Sequence, residues 1–164
     1  MSCAAANTRP PGEAEAYAGL EARACPPGLE SCDGCTRCAT RCVDHIDLSY
    51  PEFARLVAHL RSLPEAAVRE VVGQDKRLFW EEIQVSELCP FLDRRTDLCL
   101  IYPARPLICR LFGHVAWLPC PRGMVPEGLP EAPALMREYA ALERHPLREW
   151  LARTGLRLPG FSPA

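Results

Sequence analysis

The sequence predicts a mainly α-helical protein with an irregular cysteine-rich core and at most a short β-hairpin. Three observations lead to this fold class. Apolar residues recur at helical spacing in several segments, which is typical of helices with one buried face. Cysteines crowd into a stretch of glycine and polar spacers, which indicates a loop. One segment, CPFLDRRTDLCLIY, places two short apolar runs around a polar tip, as in a hairpin or knuckle.

Composition divides the 164 residues into three parts. Residues 1–24 are rich in Ala, Pro and Glu, and we expect a loose N-terminal arm or a weak helix. Residues 25–125 carry most of the cysteines and form the expected metal-binding domain. Residues 126–164 are expected to form C-terminal helices packed on the same domain. A chain of this length suits one domain with a modest core.

Two helices are expected soon after the first cysteine run. Ser49 followed by Glu52 is a capping-box signature, and Ser62 with Glu65 repeats it. The apolar stripe of the first helix comprises Phe53, Leu56, Val57 and Leu60, and that of the second comprises Val68, Val71 and Val72.

Two more helices are expected near the C-terminus. Pro146 suits the start of the last helix and Gly155 suits its end. The apolar residues that mark the pair are Leu135, Tyr139, Leu142, Leu147, Trp150 and Leu151. The carboxylates Glu81 and Glu82 fit either a general base or an exposed helix end.

Charge and hydropathy narrow the choice of partners. The net charge of −2 and the pI near 6.1 provide no basic surface, so nucleic acid is an unexpected partner.

No segment reaches the ~18 apolar residues that would span a membrane. The N-terminus lacks the pattern of a secretory signal. We therefore expect a cytoplasmic protein, in which ten cysteines indicate metal binding rather than disulfides.

Eight cysteines form two groups with regular spacing. The first group is a C-x2-C-x2-C-x3-C run, and the second is strung out as C-x9-C-x9-C-x10-C. Thiolates are soft ligands that suit zinc and iron–sulfur clusters. The spacing allows two four-sulfur sites or one site with spare cysteines. The predicted ligands are Cys32, Cys35, Cys38, Cys42, Cys89, Cys99, Cys109 and Cys120.

The first run also has the spacing of a bacterial ferredoxin, yet the rest of the chain does not fit one. No second run of this kind exists, and Val43 rather than proline follows Cys42. Cys3 and Cys25 lie outside both groups and are interpreted as thiols without a role.

The two groups together resemble the CxxCxxCC cysteine-cluster family, also called the YkgJ family. The resemblance begins at CDGCTRC and continues in CPFLDRRTDLCLIYPARPLICRLF, and it covers roughly residues 32–121. The family is described as a candidate zinc- or iron-chelating domain, so the resemblance implies a metal site built by both groups. Ala39 stands where the family has its fourth, adjacent cysteine, and Cys42 is the candidate substitute.

The sequence is compatible with several functions. We expect an iron–sulfur cluster or Zn²⁺, with electron transfer or metal chelation as the role and a redox protein as a candidate partner. One alternative is an iron–sulfur enzyme of oxidoreductase or methylase-like type, since flagellin lysine methylases carry a similar cysteine segment. Another is a zinc-stabilised interaction module. The chain contains no dinucleotide fingerprint, phosphate loop, HExxH helix or nucleophile elbow.

Four residues near the cysteines are candidate auxiliary groups. Arg105 and Arg110 flank Cys109, where a guanidinium would offset thiolate charge. The alternative is that either arginine pairs with a carboxylate such as Asp93 or Asp97. His45 and His114 are each candidates for a metal ligand or for a supporting group.

Overall fold

The described part of the chain mixes helices with short strand pairs. The computed structural model describes residues 12–24, 42–43, 46–120, 123 and 129–161. Within these ranges six α-helices accompany eight strands, so the prediction of a mainly α-helical fold with at most one hairpin was wrong. Sequence patterns do not predict these strands, because most strands span two or three residues, too few to show an alternation of apolar and polar side chains.

Four of the six α-helices lie close to where the apolar stripes predict them. A 3₁₀ turn at Tyr102–Ala104 precedes the shortest helix. The six α-helices are α1 Glu13–Ala24, α2 Tyr50–Ser62, α3 Glu65–Val72, α4 Leu107–Arg110, α5 Ala132–Ala140 and α6 Leu147–Thr154.

The strands form four two-stranded antiparallel sheets, which pair β1 with β8, β2 with β3, β4 with β5, and β6 with β7. Three of these pairs are local hairpins, and only the β1–β8 pair joins distant parts of the chain. The strands are β1 Asp47–Ser49, β2 Arg77–Trp80, β3 Ile83–Glu87, β4 Leu92–Asp93, β5 Leu98–Cys99, β6 His114–Val115, β7 Leu118–Pro119 and β8 Arg144–Pro146.

Helix α2 begins at the predicted capping box. The Ser49 backbone N–H and hydroxyl donate to Glu52 Oε2 at 2.8 and 2.9 Å. The second signature does not act as a cap, because helix α3 has Pro64 at its N-cap. The Ser62 hydroxyl instead donates to the carbonyl of His59, in the last turn of α2.

Two large clusters of buried side chains fill the described part of the molecule, beside a small third one formed by Leu88 and Leu92. The α2 core joins α2, α3, α6 and the β4–β5 hairpin. Its residues are Leu48, Phe53, Leu56, Val57, Leu60, Val68, Phe91, Ile101, Trp150 and Leu158. The α5 core joins α1, α4, β6 and α5. Its residues are Tyr17, Leu20, Ala24, Leu107, Leu111, Val115, Ala132, Leu135 and Tyr139.

Helix α1 occupies the end of the segment for which a loose arm or weak helix is expected. Tyr17, Leu20 and Ala24 are buried in the α5 core, and Arg23 pairs with Glu138 of α5 at 2.7 Å. Residues 1–11 lie outside the described ranges. The three-part division of the chain stays a prediction.

One buried carboxylate connects the two cores. Glu52 is fully buried, and besides the two bonds from Ser49 it accepts the Leu107 backbone N–H at 2.7 Å and the Tyr139 hydroxyl at 2.9 Å. Four donors therefore compensate for the loss of solvation on burial. The bonds fix the starts of α2 and α4 against α5.

The β2–β3 hairpin projects from the two cores. Glu81 sits in its turn at a φ of 53°, and Glu82 beside it is exposed. Of the two sequence interpretations of this acidic pair, the helix end is wrong, because the pair lies in a hairpin turn.

Among the helices of the described residues, none combines the length and apolar character needed to cross a bilayer.

Candidate metal centre

The described residues include five of the eight predicted ligands. They are Cys42, Cys89, Cys99, Cys109 and Cys120, and none of these five forms a disulfide. The predicted ligands Cys32, Cys35 and Cys38 lie outside the described ranges. His45 and the arm cysteines Cys3 and Cys25 also lie outside them.

The end of the first cysteine run meets the start of the second group. The Cys89 backbone N–H donates to the carbonyl of Cys42 at 2.9 Å. The neighbouring residues Val43 and Leu88 form an isolated antiparallel bridge. Segments separated by more than forty positions in the chain are thus joined through their main chains.

The β4–β5 hairpin carries two more of the cysteines toward the same place. Cys89 precedes β4, and its carbonyl accepts the Leu92 N–H at 3.1 Å. Leu92 pairs directly with Cys99 across the hairpin. Both cysteines are half-buried and pack against the α2 core. The sulfur of Cys99 also accepts a hydrogen bond from the Ile101 backbone N–H, a contact that favours a thiolate.

Cys109 on α4 lies among the other thiols. Its pKa is well above the ordinary value, first because of burial and then because of the charges of Cys89, Cys99 and Cys42. Burial also raises the pKa of Cys99. Four cysteines from three chain segments therefore lie within electrostatic reach of one another. A bound metal cation would lower the pKa of these thiols, since a thiol that coordinates a metal loses its proton.

The described residues do not complete a ligand set by themselves. Within the ranges given above, no three His, Cys, Asp or Glu side chains stand close enough to hold one ion. Cys120 is half-buried just after β7. The thiols of Cys42, Cys89, Cys99 and Cys109 are gathered, and a tetrahedral site requires a closer approach or further donors.

Arg105 faces this group of thiols. Its guanidinium stacks on the ring of Tyr102, 3.6 Å from the centroid, and its Nε donates to the Tyr102 carbonyl at 3.2 Å. Its charge acts to lower the pKa of Cys99 and Cys109, opposing the larger effect of burial. This position agrees with the predicted role in offsetting thiolate charge.

Arg110 has the alternative role, as the partner of a carboxylate. Its Nη1 lies 2.7 Å from Glu21, and its Nε donates to the Arg105 carbonyl at 3.0 Å. The carboxylate belongs to α1 rather than to Asp93 or Asp97. Arg55 donates to the same Arg105 carbonyl at 3.0 Å, so two arginines hold the main chain of Arg105 in place.

A second cation near the thiols was missed in the sequence. Lys76 donates to the carbonyl of Leu92 and to Gln74, and the charge of Cys89 acts on it. Burial lowers the pKa of Lys76 despite that charge. The sequence feature that could have drawn attention to this residue is that Lys76 is the only lysine of the chain.

His114 is buried in β6, with 4% of its surface exposed. Its Nδ1 has no hydrogen-bond partner. Burial lowers the pKa of the imidazole, and the charge of Arg105 lowers it further. The gathered thiols themselves are soft donors, so their chemistry suits the zinc or iron that the sequence predicts.

Comparisons with known proteins agree with this chemistry. A sequence model of the CxxCxxCC family, described as "Putative zinc- or iron-chelating domain", matches residues 31–138. The chain is also similar to the uncharacterized protein MJ0661 of Methanocaldococcus jannaschii, with 31% identity over 77 residues. That match covers 47% of this chain and 42% of the relative. No solved structure matches the chain.

Proposed function

Because the chain belongs to the CxxCxxCC family, we propose that it binds a metal centre through thiolates from two separated segments. The observation that carries this proposal is the gathering of thiols around Cys109, whose pKa responds to Cys42, Cys89 and Cys99. Burial and the neighbouring cysteines disfavour the thiolate form of Cys109, and a bound metal cation would favour it.

We assign the ligands from both groups of cysteines. In this assignment Cys42 replaces the family cysteine that is missing at Ala39, which its main-chain bond with Cys89 supports. The other ligands are Cys32, Cys35, Cys38, Cys89, Cys99, Cys109 and Cys120.

Two cations offset the negative charge of such a centre. Arg105 acts on Cys99 and Cys109, and Lys76 acts on Cys89. Four thiolates around a divalent ion leave a net negative charge, which costs free energy in a partly buried site. Arg105, held by its stacking on Tyr102, stabilises the deprotonated thiols and sets their electrostatic potential.

We favour an iron–sulfur cluster over zinc, because eight sulfurs exceed what one zinc ion needs. When bound, a cluster exchanges single electrons, whereas zinc is redox-inert and would serve chelation or folding. The favoured role is electron transfer with a protein partner in the cytoplasm, where thiols stay reduced.

The test is anaerobic purification followed by elemental analysis and an absorption spectrum. The C89S and C109S variants should lose most of the bound metal, because each removes a thiol from the gathered group. The matched control is C3S, a change outside both cysteine groups, and it should keep its metal. Full metal content in C89S or C109S would refute the ligand assignment.

The same samples separate the two metals and their roles. Visible absorption that bleaches reversibly with dithionite supports an iron–sulfur cluster. A colourless protein that contains zinc supports chelation or a structural role.

A further inference from the structure

Four large apolar side chains of the β2–β3 hairpin are mostly exposed. They are Phe79 at 51%, Val85 at 59%, Ile83 at 68% and Trp80 at 72%. None of the four lies in the buried clusters of the described residues. Leu78 instead anchors the hairpin, by packing on Leu88 and Leu92. Apolar side chains that are exposed together, rather than singly, mark an interaction surface.

The outer edge of β2 is open within the described ranges, where the sheet consists of β2 and β3 alone. The far side of β3 is joined at its base by Val43, which forms a bridge with Leu88. Strand β3 also contains a bulge, because Val85 has no opposite residue in β2. Bulges interrupt pairing along an edge. Strand β2, which has no extra residue, is therefore the better edge for a further strand.

Phe79 turns its main-chain groups toward this open edge. The Leu88 N–H donates to the Lys76 carbonyl at 2.8 Å. Main-chain groups of successive residues point to opposite sides of a strand, so Lys76, Leu78 and Trp80 face β3 and Phe79 faces outward. The strand contains neither lysine nor proline, the residues that commonly prevent pairing at an exposed edge.

The two ends of the hairpin carry charges of opposite sign. Glu81 and Glu82 form the turn, and both are exposed. Arg77 lies at the base, where its guanidinium contacts Asp75 at 2.8 Å and lies 5.6 Å from the centroid of the Phe79 ring. The Arg77 side chain is still 56% exposed, so a second carboxylate can approach it.

Two copies of β2 are complementary when they run antiparallel about a two-fold axis at Phe79. Phe79 then lies opposite Phe79 of the second copy, and Arg77 lies opposite Glu81 of the second copy. On the other face Trp80 lies opposite Leu78 of the second copy. Aromatic and opposite-charge pairs of this kind stabilise antiparallel strands. A parallel arrangement would bring the glutamates of the two turns together.

We propose that this chain forms a two-fold dimer through antiparallel pairing of β2 with β2 of a second copy. A lipid surface fits the hairpin less well, because Glu81 and Glu82 would enter the bilayer beside Trp80. The interface is small, so the dimer should be reversible, with a Kd on the order of micromolar. The dimer does not depend on the metal centre and goes beyond the proposed function.

The first experiment is sedimentation equilibrium of the full-length protein from about 1 to 200 µM, a range that brackets the expected Kd. A reductant prevents disulfides between copies. The wild type should show a monomer–dimer equilibrium, and W80S should weaken it at least tenfold, since buried tryptophans contribute strongly to interfaces. The matched control is W117S. Trp117 is 48% exposed in the turn between β6 and β7, so its loss should leave the dimer intact.

The second experiment tests the register with the variants R77E and E81R. Each alone places like charges opposite each other and should dimerise more weakly than the wild type. In an equimolar mixture, each contact between positions 77 and 81 joins a glutamate to an arginine, so dimers should form again. Because the same two proteins are compared alone and mixed, a folding defect in either does not explain such a recovery.

Three results would overturn the proposal. The first is a wild type that stays monomeric over this range, whether or not it sediments with vesicles of phosphatidylcholine and phosphatidylserine. The second is a dimer that W80S does not weaken, which would place the interface elsewhere. The third is a mixture of R77E and E81R that dimerises no better than its components.

Discussion

Arg105 shows at the scale of a single residue how one side chain serves a group of thiols. Its ring stacking on Tyr102 and the two arginines that bond its carbonyl fix its position. Position matters because the attraction between a charge and a thiolate falls with distance and with exposure to solvent. Arg105 is therefore better placed to support a metal centre than Arg110, which pairs with Glu21.

Substitution of Arg105 tests this role. R105M should weaken metal binding by about tenfold, because it removes a cation that offsets thiolate charge. R105K should recover only part of the loss, since lysine lacks the planar group that stacks on Tyr102. Competition with a coloured chelator measures the affinity. R95M removes an arginine that is 62% exposed and should bind metal as the wild type does.

Glu52 is the second residue, after Arg105, whose substitution should have a large effect, in this case on the free energy of unfolding. E52A should lower the free energy of unfolding by about 3 kcal/mol or more, because it leaves buried donors of Ser49, Leu107 and Tyr139 without an acceptor. Urea unfolding measures the loss. The control E65A removes an exposed carboxylate that pairs with Arg69 and should cost at most about 1 kcal/mol. Equal losses in the two variants would contradict the linking role of Glu52.

At the scale of elements, the β4–β5 hairpin presents Cys89 and Cys99. Asp93 closes its turn: Oδ1 accepts the Gln74 amide and the Arg95 N–H, and Oδ2 accepts the Thr96 hydroxyl. Asp97 completes the turn at a φ of 58°. The hairpin thus depends on a carboxylate that is four residues from the nearer cysteine.

The Asp93 carboxylate in this hairpin should make the free energy of unfolding depend on pH. The Gln74 hydrogen bond, followed by the Arg95 N–H, holds the pKa of Asp93 below its usual range. The native carboxylate thus stabilises the fold above the unfolded pKa of about 3.9, and this contribution disappears as pH falls through the lower native pKa. D93N should therefore be less stable than the wild type at pH 7, and the difference should shrink in acid.

Urea unfolding of wild type and D93N at pH 7 and at pH 3 measures this effect. D97N is the control, because asparagine tolerates a positive φ and the turn geometry is kept. A difference between wild type and D93N that is unchanged at pH 3 would rule out this source of pH dependence.

The helices and hairpins also show which elements can be predicted from sequence patterns and which cannot. The helical stripes of α2, α5 and α6 predict helices that the structure contains, and Gly155 ends α6 at a φ of 66° as expected. The β2–β3 hairpin was missed because its apolar residues face solvent. Trp80 is 72% exposed and Ile83 is 68% exposed, so no buried face produces an alternating pattern.

At the scale of the whole molecule, the thiols lie where separate parts of the fold meet. Cys89 and Cys99 pack on the α2 core, whereas Cys109 is on α4, whose Leu107 and neighbouring Leu111 lie in the α5 core. A metal bound by all three would link the two cores, in addition to the hydrogen bonds of Glu52. Metal binding should therefore be coupled to folding.

Removal of the metal tests this coupling. With free metal at 100 times the dissociation constant, binding to the native state alone adds about 2.7 kcal/mol to the free energy of unfolding. Urea unfolding with and without a strong chelator should show a loss of at least this size. The metal-deficient C109S variant should not respond to the chelator. Identical unfolding curves for the wild type under both conditions would contradict a role of the metal in joining the cores.

The sequence by itself determined the chemistry of the donors and the helices that carry the cores. Soft thiol ligands and apolar stripes are local properties, readable from residue type and spacing. Only the tertiary structure decided that Cys42 meets Cys89, that Arg105 rather than Arg110 faces the thiols, and that Lys76 lies near Cys89. Cys42 and Cys89 are far apart along the chain, and it is the burial of apolar surface in the cores that brings them together.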